Sequence, residues 1–352
     1  MKRYRVDVFD RSFNFVDMAQ TSQPTLITDV LVQSSSTFDV PKELNVSKGD
    51  YCQIKGDDSL LFQGIVTDFS YDGKITSVTL AQMSKLLDVE VFADVSTLIN
   101  GVEPWLKAQI EAVYDGTDTA QNLTGLTVTA STSTPGQYDA NDQQIYNLYD
   151  MAVHFFKIYG IVIDVGFDVM AKKVTFAFRK IDVLSAWKIE TKLKDVAEYS
   201  ISTPSLNEYP NKMIIRNQED PNQSVTYYWH PTEFSGTVDQ DGSYNRVQPV
   251  VSRCSVIAPQ QDQTFDDAAY IEAVNAMYQS RYDDQIEIVF NAESKLVQVG
   301  RIGQCYSIID RGKTYHTILT GYQRLNDKFT RMTFGYVRTR LTQILQQERR
   351  KG

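Results

Sequence analysis

What most constrains this chain is that it resembles itself. Phe62-Gln-Gly-Ile-Val-Thr-Asp-Phe69 sets beside Tyr315-His-Thr-Ile-Leu-Thr-Gly-Tyr322, aromatic at both ends, with Ile65-Val66-Thr67 matching Ile318-Leu319-Thr320. With one residue inserted in the turn, Lys74-Ile-Thr-Ser-Val-Thr-Leu-Ala81 lines up with Lys328-Phe-Thr-Arg-Met-Thr-Phe-Gly335. Upstream, Gly49-Asp-Tyr-Cys-Gln-Ile54 corresponds loosely to Gly303-Gln-Cys-Tyr-Ser-Ile308, and both copies run on into helix-like segments, Met83–Asp88 and Val337–Leu345. Every hairpin needs alternation and a polar turn. The paired Thr and Lys and the flanking aromatics, kept in one order, favour a duplicated β-domain. The copies lie about 250 positions apart, beyond the ~20–50-residue period of a solenoid. Two related domains with other material between and inside them are expected.

Local patterns support that reading. Tyr4, Val6 and Val8 alternate with Arg5 and Asp7, the period of a half-buried strand. Leu26–Val32, Tyr51–Lys55, Leu61–Tyr71 and Ile75–Ala81 read as further strands, with Asp72-Gly73 as a tight turn. Pro104 suits the first turn of a helix running to about Tyr114. Residues 116–142 read as loop with one short strand at Leu126–Ala130. Ile145, Leu148, Ala152, Phe155 and Tyr159 form one helical stripe, capped by Asn141 or Asp142 and closed by Gly160. Ile161–Val165 and Val174–Arg179 form a second hairpin, so residues 96–185 are expected to pack helix on sheet. Val225, Tyr227 and Trp229 alternate, as do Ile286, Ile288 and Phe290. Between them a helix over Asp266–Tyr282 would pack through Ile271, Val274 and Tyr278. Strands at Cys305–Asp310, Thr314–Tyr322 and Phe329–Gly335 precede a short polar helix and a solvated tail.

The fold class expected is α+β, mainly β: two related small β-barrel domains with inserted α+β domains. The division expected is a first barrel over 1–95, an α+β domain over 96–185, and a connecting β region that begins the second barrel over 186–265. A helical insertion at 266–285, the rest of the second barrel at 286–340 and a basic tail at 341–352 complete it.

Composition narrows the function. Lys plus Arg total 35 and Asp plus Glu 44, a net charge of −9. A dedicated nucleic-acid binder needs a basic face to displace counterions from phosphates, and the overall sign argues against one. Cys52, Cys254 and Cys305 lie far apart with no CxxC spacing, which fits neither a disulfide framework nor zinc. The basic N-terminus has no apolar run behind it, so a signal peptide is not expected. No stretch reaches the ~18 apolar residues of a membrane span. The last fifteen residues carry a net +4 from Arg338, Arg340, Arg349, Arg350 and Lys351 against Glu348. That tail suits either an acidic partner or membrane surface, or a solubilising terminus.

Catalytic candidates are sparse. His154 falls off its helix stripe and reads as a surface residue; His230 reads as a loop residue before Pro231; His316 occupies a repeat position that Gln63 also fills. HExxH, GxSxG, GxxxxGK[ST] and GxGxxG are all absent. The acidic clusters Asp283-Asp284 with Glu287, and Asp266-Asp267, flank a helix, where capping and solvation account for them. A glycosidase pair among them stays open. Asp239-Gln-Asp-Gly242 reads as a turn, and Cys52 and Cys305 as small buried strand residues. No catalytic, cofactor-binding or metal-binding residue is assigned, and no cofactor is expected.

The paired barrels, the aromatic-x-Gly-Ile-Val-Thr hairpin at Phe62–Thr67, the last strand ending Thr333-Phe334-Gly335 and the stretch Asn245-Arg-Val-Gln-Pro-Val-Val251 together resemble phage tail hub proteins. These are the baseplate hub of contractile-tailed phages and the tail-associated protein of siphophage tail tips. The resemblance implies a homotrimeric ring of six similar barrels that caps a sixfold tail tube and opens for DNA ejection. Its implied partners are distal tail and tail tube proteins, the tape-measure protein and the host envelope, with DNA only as passing cargo. Its implied place is the virion tail tip of a phage or prophage, after synthesis in the bacterial cytoplasm. A trimer would carry −27, which suits a conduit to which DNA does not stick. Longer relatives carry a C-terminal lysin or receptor-binding extension, whereas this chain ends soon after Gly335, so a non-enzymatic structural protein is expected. The alternative is a carbohydrate-binding or carbohydrate-cleaving β-protein acting on cell-wall polysaccharide.

Overall fold

The computed structural model describes residues 3–57, 59–138, 143–202, 210–231, 236–243, 251–259, 263–277, 282 and 284–335. Its first seven strands are β1 (Tyr4–Phe9), β2 (Phe15–Thr21), β3 (Leu26–Asp29), β4 (Ser35–Val40), β5 (Tyr51–Gly56), β6 (Ser59–Tyr71) and β7 (Thr76–Gln82). Six of them form one antiparallel sheet in the order β2-β1-β5-β6-β7-β4. Edge strands β2 and β4 approach each other and curl the sheet toward a barrel. Tyr4, Val6, Val8, Phe38, Cys52, Ile54, Val66, Val78 and Leu80 fill its interior, as period-two alternation dictates. Asp72 fixes the β6–β7 turn by accepting the Lys74 and Ile75 amides.

A helical layer follows. Strand β8 (Glu90–Phe92) precedes α1 (Val102–Tyr114), where Pro104 lies in the first turn and so removes no helical donor. Strand β9 (Thr127–Ala130) and β10 (Ile145–Asn147), which pairs with β8, lead into α2 (Leu148–Tyr159). Ile145 is therefore a strand residue, and the cap is Asn147, whose side chain accepts the Tyr149 and Asp150 amides. The sequence places Asn141 or Asp142 there, but the apolar stripe starts only at Leu148; Asn141 and Asp142 lie outside the described residues. Gly160 closes the helix in the left-handed conformation, as expected. Strands β11 (Ile161–Asp168) and β12 (Lys173–Lys180) form the expected hairpin, with β9 parallel beside β12. Packed on this sheet, α1 and α2 share a core with Phe9, Phe13 and Tyr51 on the outer face of the first curled sheet.

The second curled sheet contains β13 (Asp182–Glu190) and β14 (Val196–Ser202) and is completed far downstream. Between lie β15 (Lys212–Asn217), β16 (Ser224–Pro231), β17 (Gly236–Asp239) and β18 (Ser252–Ile257), a separate four-stranded sheet ordered β17-β16-β15-β18. Helix α3 (Phe265–Met277) packs on that sheet through Phe265, Ala269, Ala273, Val274 and Met277, and Ile158 of α2 joins the same core. Ile271 and Val274 are buried as expected; Tyr278 lies outside the described residues. Strands β19 (Gln285–Asn291), β20 (Gln304–Asp310), β21 (Lys313–Arg324) and β22 (Phe329–Phe334) complete the second sheet in the order β13-β20-β21-β22-β19-β14. Its core is Ile189, Ile286, Ile288, Phe290, Tyr306, Ile308, Leu319, Met332 and Phe334.

The two curled sheets match position by position. Gln53 pairs with Gln63 and Ser307 with His316, the same register at repeat-equivalent residues. Against its following hairpin strand each long strand shifts register at one place, between Val66 and Asp68 and between Leu319 and Gly321. The threonine at each shift, Thr67 or Thr320, donates its hydroxyl across the hairpin to the carbonyl of Thr79 or Thr333, at 3.2 Å in both. Gly49 donates to the Val66 carbonyl at 2.8 Å and Gly303 to the Leu319 carbonyl at 2.7 Å. One departure stands out: β1 runs antiparallel to β5, whereas β13 runs parallel to β20. The helical segment after the first copy is a 3-10 turn over Met83–Leu87; the second, with the basic tail, lies outside the described residues.

Candidate functional site

The chemically densest region is the joint where the curled sheets and the helical layer meet. Strand β3 leaves the first sheet's chain path and adds to the second, pairing Leu26–Asp29 antiparallel with Arg324–Gly321 of β21. Gln82, at the end of β7, fixes it: Oε1 accepts the Asp29 amide at 3.0 Å, and Nε2 donates to the Asp29 carbonyl at 2.7 Å. The Val30 amide then donates to the Thr320 carbonyl at 3.0 Å. A β-carbon on Gly321 would come 3.1 Å from the Asp29 carboxylate, so a small residue suits this crossing.

Two further contacts weld the joint. Tyr4 donates its hydroxyl to Asp327 at 3.0 Å and accepts from Arg324 at 2.8 Å, and the guanidinium lies 5.0 Å from the Tyr4 ring centre. Burial raises the Tyr4 pKa, with Arg324 opposing, so the phenol stays a neutral donor. Gln63 pairs its side-chain amide with the backbone of Phe167 in β11, donating at 2.6 Å and accepting at 3.2 Å. His316, its repeat counterpart, faces Ser307 at 3.3 Å instead. The repeat position thus serves a different neighbour in each copy.

A cavity of about 330 Å³ lies in the joint, lined in part by Asp29, Gln63, Gln82, Tyr149 and Tyr322. Asp29 is half-buried there. Burial pushes its carboxyl up to about 6, against the amides of Leu31 and Val32, which it accepts at 2.7 and 3.1 Å. Tyr149 is also shifted up, by burial first and by the Asp29 charge second. Glu103 behaves oppositely. Burial raises it, yet hydrogen bonds from Thr134 and Thr132 outweigh burial and leave its pKa lowered.

The sequence candidates scatter across the fold. His154 is half-buried against Tyr138 and Phe155, not a surface residue; α2 is covered on more of its circumference than its stripe indicates. His230 is not a loop residue either. It sits in β16, buried, with Nε2 2.8 Å from Asp239. Asp267 accepts from Thr264 at the start of α3, and Glu287 pairs with Arg331 at 3.7 Å. Asp239 and Asp241 cap turn amides. Cys52 and Cys305 are buried, as expected for small strand residues, and burial raises the Cys52 thiol pKa. Among the described residues no three His, Cys, Asp or Glu gather as metal ligands. None of their helices is long and apolar enough to cross a membrane. A wider groove of about 1070 Å³ runs between α3 and the 134–137 loop, past Tyr159, Asp267 and Tyr270. The joint residues Tyr4, Gln82 and Arg324 carried no motif in the sequence, because the side chain of each acts on a partner at least fifty positions away.

No protein-family model matches the chain. No curated protein matches its sequence. Solved structures do match its fold. The 43 kDa tail protein of prophage MuSo2 from Shewanella oneidensis aligns with a TM-score of 0.56 at 9% identity, over 95% of this chain and 96% of that one. A tail protein from Neisseria meningitidis gives 0.53 at 11%, over 94% and 96%. The prophage tail protein gp18 of Listeria monocytogenes gives 0.53 at 11%, over 99% of both. The chain therefore has the fold of phage tail proteins, mainly β, as its residues led us to expect.

Proposed function

We propose that this chain is a structural component of a phage or prophage tail tip. Three copies would close a ring, cap the tail tube beside the tape-measure protein, and open for DNA to pass. The observation that carries this reading is the duplicated curled sheet, matched in register, bulge and core, within a fold shared with tail proteins over nearly the whole chain. A threefold ring of paired units offers six similar faces to a sixfold tube. The excess of acidic residues suits a conduit for DNA. We assign it no catalysis: of the acidic candidates, Asp239 and Asp241 hold turn amides, Asp267 accepts from Thr264 and Glu287 pairs with Arg331. In place of a connecting region over 186–265 and a separate helical insertion over 266–285, we propose that the four-stranded sheet and α3 form one inserted unit.

The test is the solution mass by light scattering. A ring of three 40.0-kDa chains weighs about 120 kDa. A 40-kDa species at all concentrations contradicts it. The competing reading, a glycan-binding β-protein, draws on the groove beside Tyr270. Retention of the lone chain on cell-wall polysaccharide, lost in Y270A, would favour that reading.

A further inference from the structure

The repeat exposes an edge that its own counterpart covers. Beyond the bulge in the second sheet, Gly321–Arg324 of β21 has β22 on one flank and β3 on the other. The equivalent stretch of the first sheet is Asp68–Tyr71 of β6. It has β7 on one flank, and among the described residues no strand on the other, since β5 stops opposite Ile65. The side chains follow the same contrast. Tyr322, Arg324 and Phe329 are half-buried, whereas their counterparts Phe69, Tyr71 and Ile75 are 40%, 45% and 42% exposed. An unpaired edge flanked by exposed aromatics invites pairing with another chain.

We propose that Asp68–Tyr71 of β6 is an assembly edge that receives an extended segment from the second curled sheet of another copy of this chain. The occupant is argued from the joint inside the chain. There the first unit supplies β3 to the second unit's edge, so the contact is head-to-tail. Repeating it between chains lets the second unit of one copy serve the first unit of the next. Heterologous contacts of this kind close into a ring when the rotation between units permits. Backbone pairing supplies the affinity and Phe69, Tyr71 and Ile75 the apolar cover, as in β-strand addition generally. The exposed Lys48–Asp68 ion pair, at 2.9 Å, marks one end of the edge. This inference rests on the ring reading and names the surface that closes it.

Two measurements on the full chain separate the inference from that reading. Light scattering of wild type and F69K/Y71K compares masses, with circular dichroism to establish that the variant keeps its strand content. The expected result is about 120 kDa for wild type and a drop to the 40.0-kDa chain for the variant, roughly threefold. Amide hydrogen exchange on wild type then reads the amides of residues 68–71 that point away from β7, and is informative even where the variant fails to fold. The expected result is slow exchange at working concentration and fast exchange on dilution to monomer. A 120-kDa wild type whose outward-pointing 68–71 amides exchange freely, or a folded variant that keeps that mass, overturns the edge and leaves the ring standing. A wild type that stays at one chain overturns both.

Discussion

Asp29 and Glu103 are two buried-side carboxylates that bend stability against pH in opposite senses. Asp29 has its pKa pushed up by burial, from 3.8 to about 6. Between those values the folded chain keeps a proton that the unfolded chain has released. Its contribution therefore favours the fold below about pH 4 and is lost as pH rises through about 6, by up to about 3 kcal/mol. In D29N the urea midpoint should lose that downward slope between pH 4 and 7, relative to wild type. Retention of the slope would show that another group causes it. Glu103 is fully buried in the first turn of α1, and the Thr134 and Thr132 hydrogen bonds lower its pKa despite burial. Its contribution is present above the ordinary glutamate value of 4.5 and falls away as pH drops below it. E103Q should cost about 1–3 kcal/mol at pH 7 by weakening charge-assisted bonds from Thr132 and Thr134, and should flatten the acid limb. An unchanged acid midpoint would contradict that role.

At the scale of elements, the repeat makes matched experiments possible within one chain. Gly49 and Gly303 hold the same place, with φ of 92° and 79°, where a β-carbon is strained. Their surroundings differ. The atoms nearest a β-carbon at Gly49 belong to the Arg11 guanidinium, the far end of a flexible side chain, whereas at Gly303 it comes 2.5 Å from Val162, a buried residue of β11. G49A should cost about 1 kcal/mol, and G303A about 2–4 kcal/mol because overpacking adds to backbone strain. Thermal melts of the two variants check the order, and equal shifts would contradict the packing difference. Elements carried by local alternation, such as β1, the β6–β7 hairpin and the β11–β12 hairpin, were legible in the sequence. The start of α2 was not, because Ile145 fits the helical stripe by spacing while its backbone pairs with β8. The end of the expected Leu26–Val32 strand was not either: Asp29 turns the chain by accepting the Leu31 and Val32 amides.

For the whole molecule, the repeat was readable because duplication leaves a signal at matched positions, and the same positions fill both cores: Ile54 with Ile308, Val66 with Leu319, Leu80 with Phe334. The outer faces correspond as well. Tyr51 and Cys305 occupy equivalent outward positions, and each packs toward the helical layer. Swapping the order of Tyr and Cys between copies therefore reverses which sheet holds the bulky residue inside. The joint was illegible, because β3 pairs with a strand nearly three hundred residues away and no local pattern marks such a partner. What the joint achieves is a fixed relation between two like units, the property a ring built from paired units requires.

That relation is tested most directly by electron-microscope class averages of the purified protein viewed down its symmetry axis. The account predicts a threefold particle with six similar lobes around a central opening. Two-lobed particles of a single chain, at concentrations where light scattering also finds only 40.0 kDa, would contradict it.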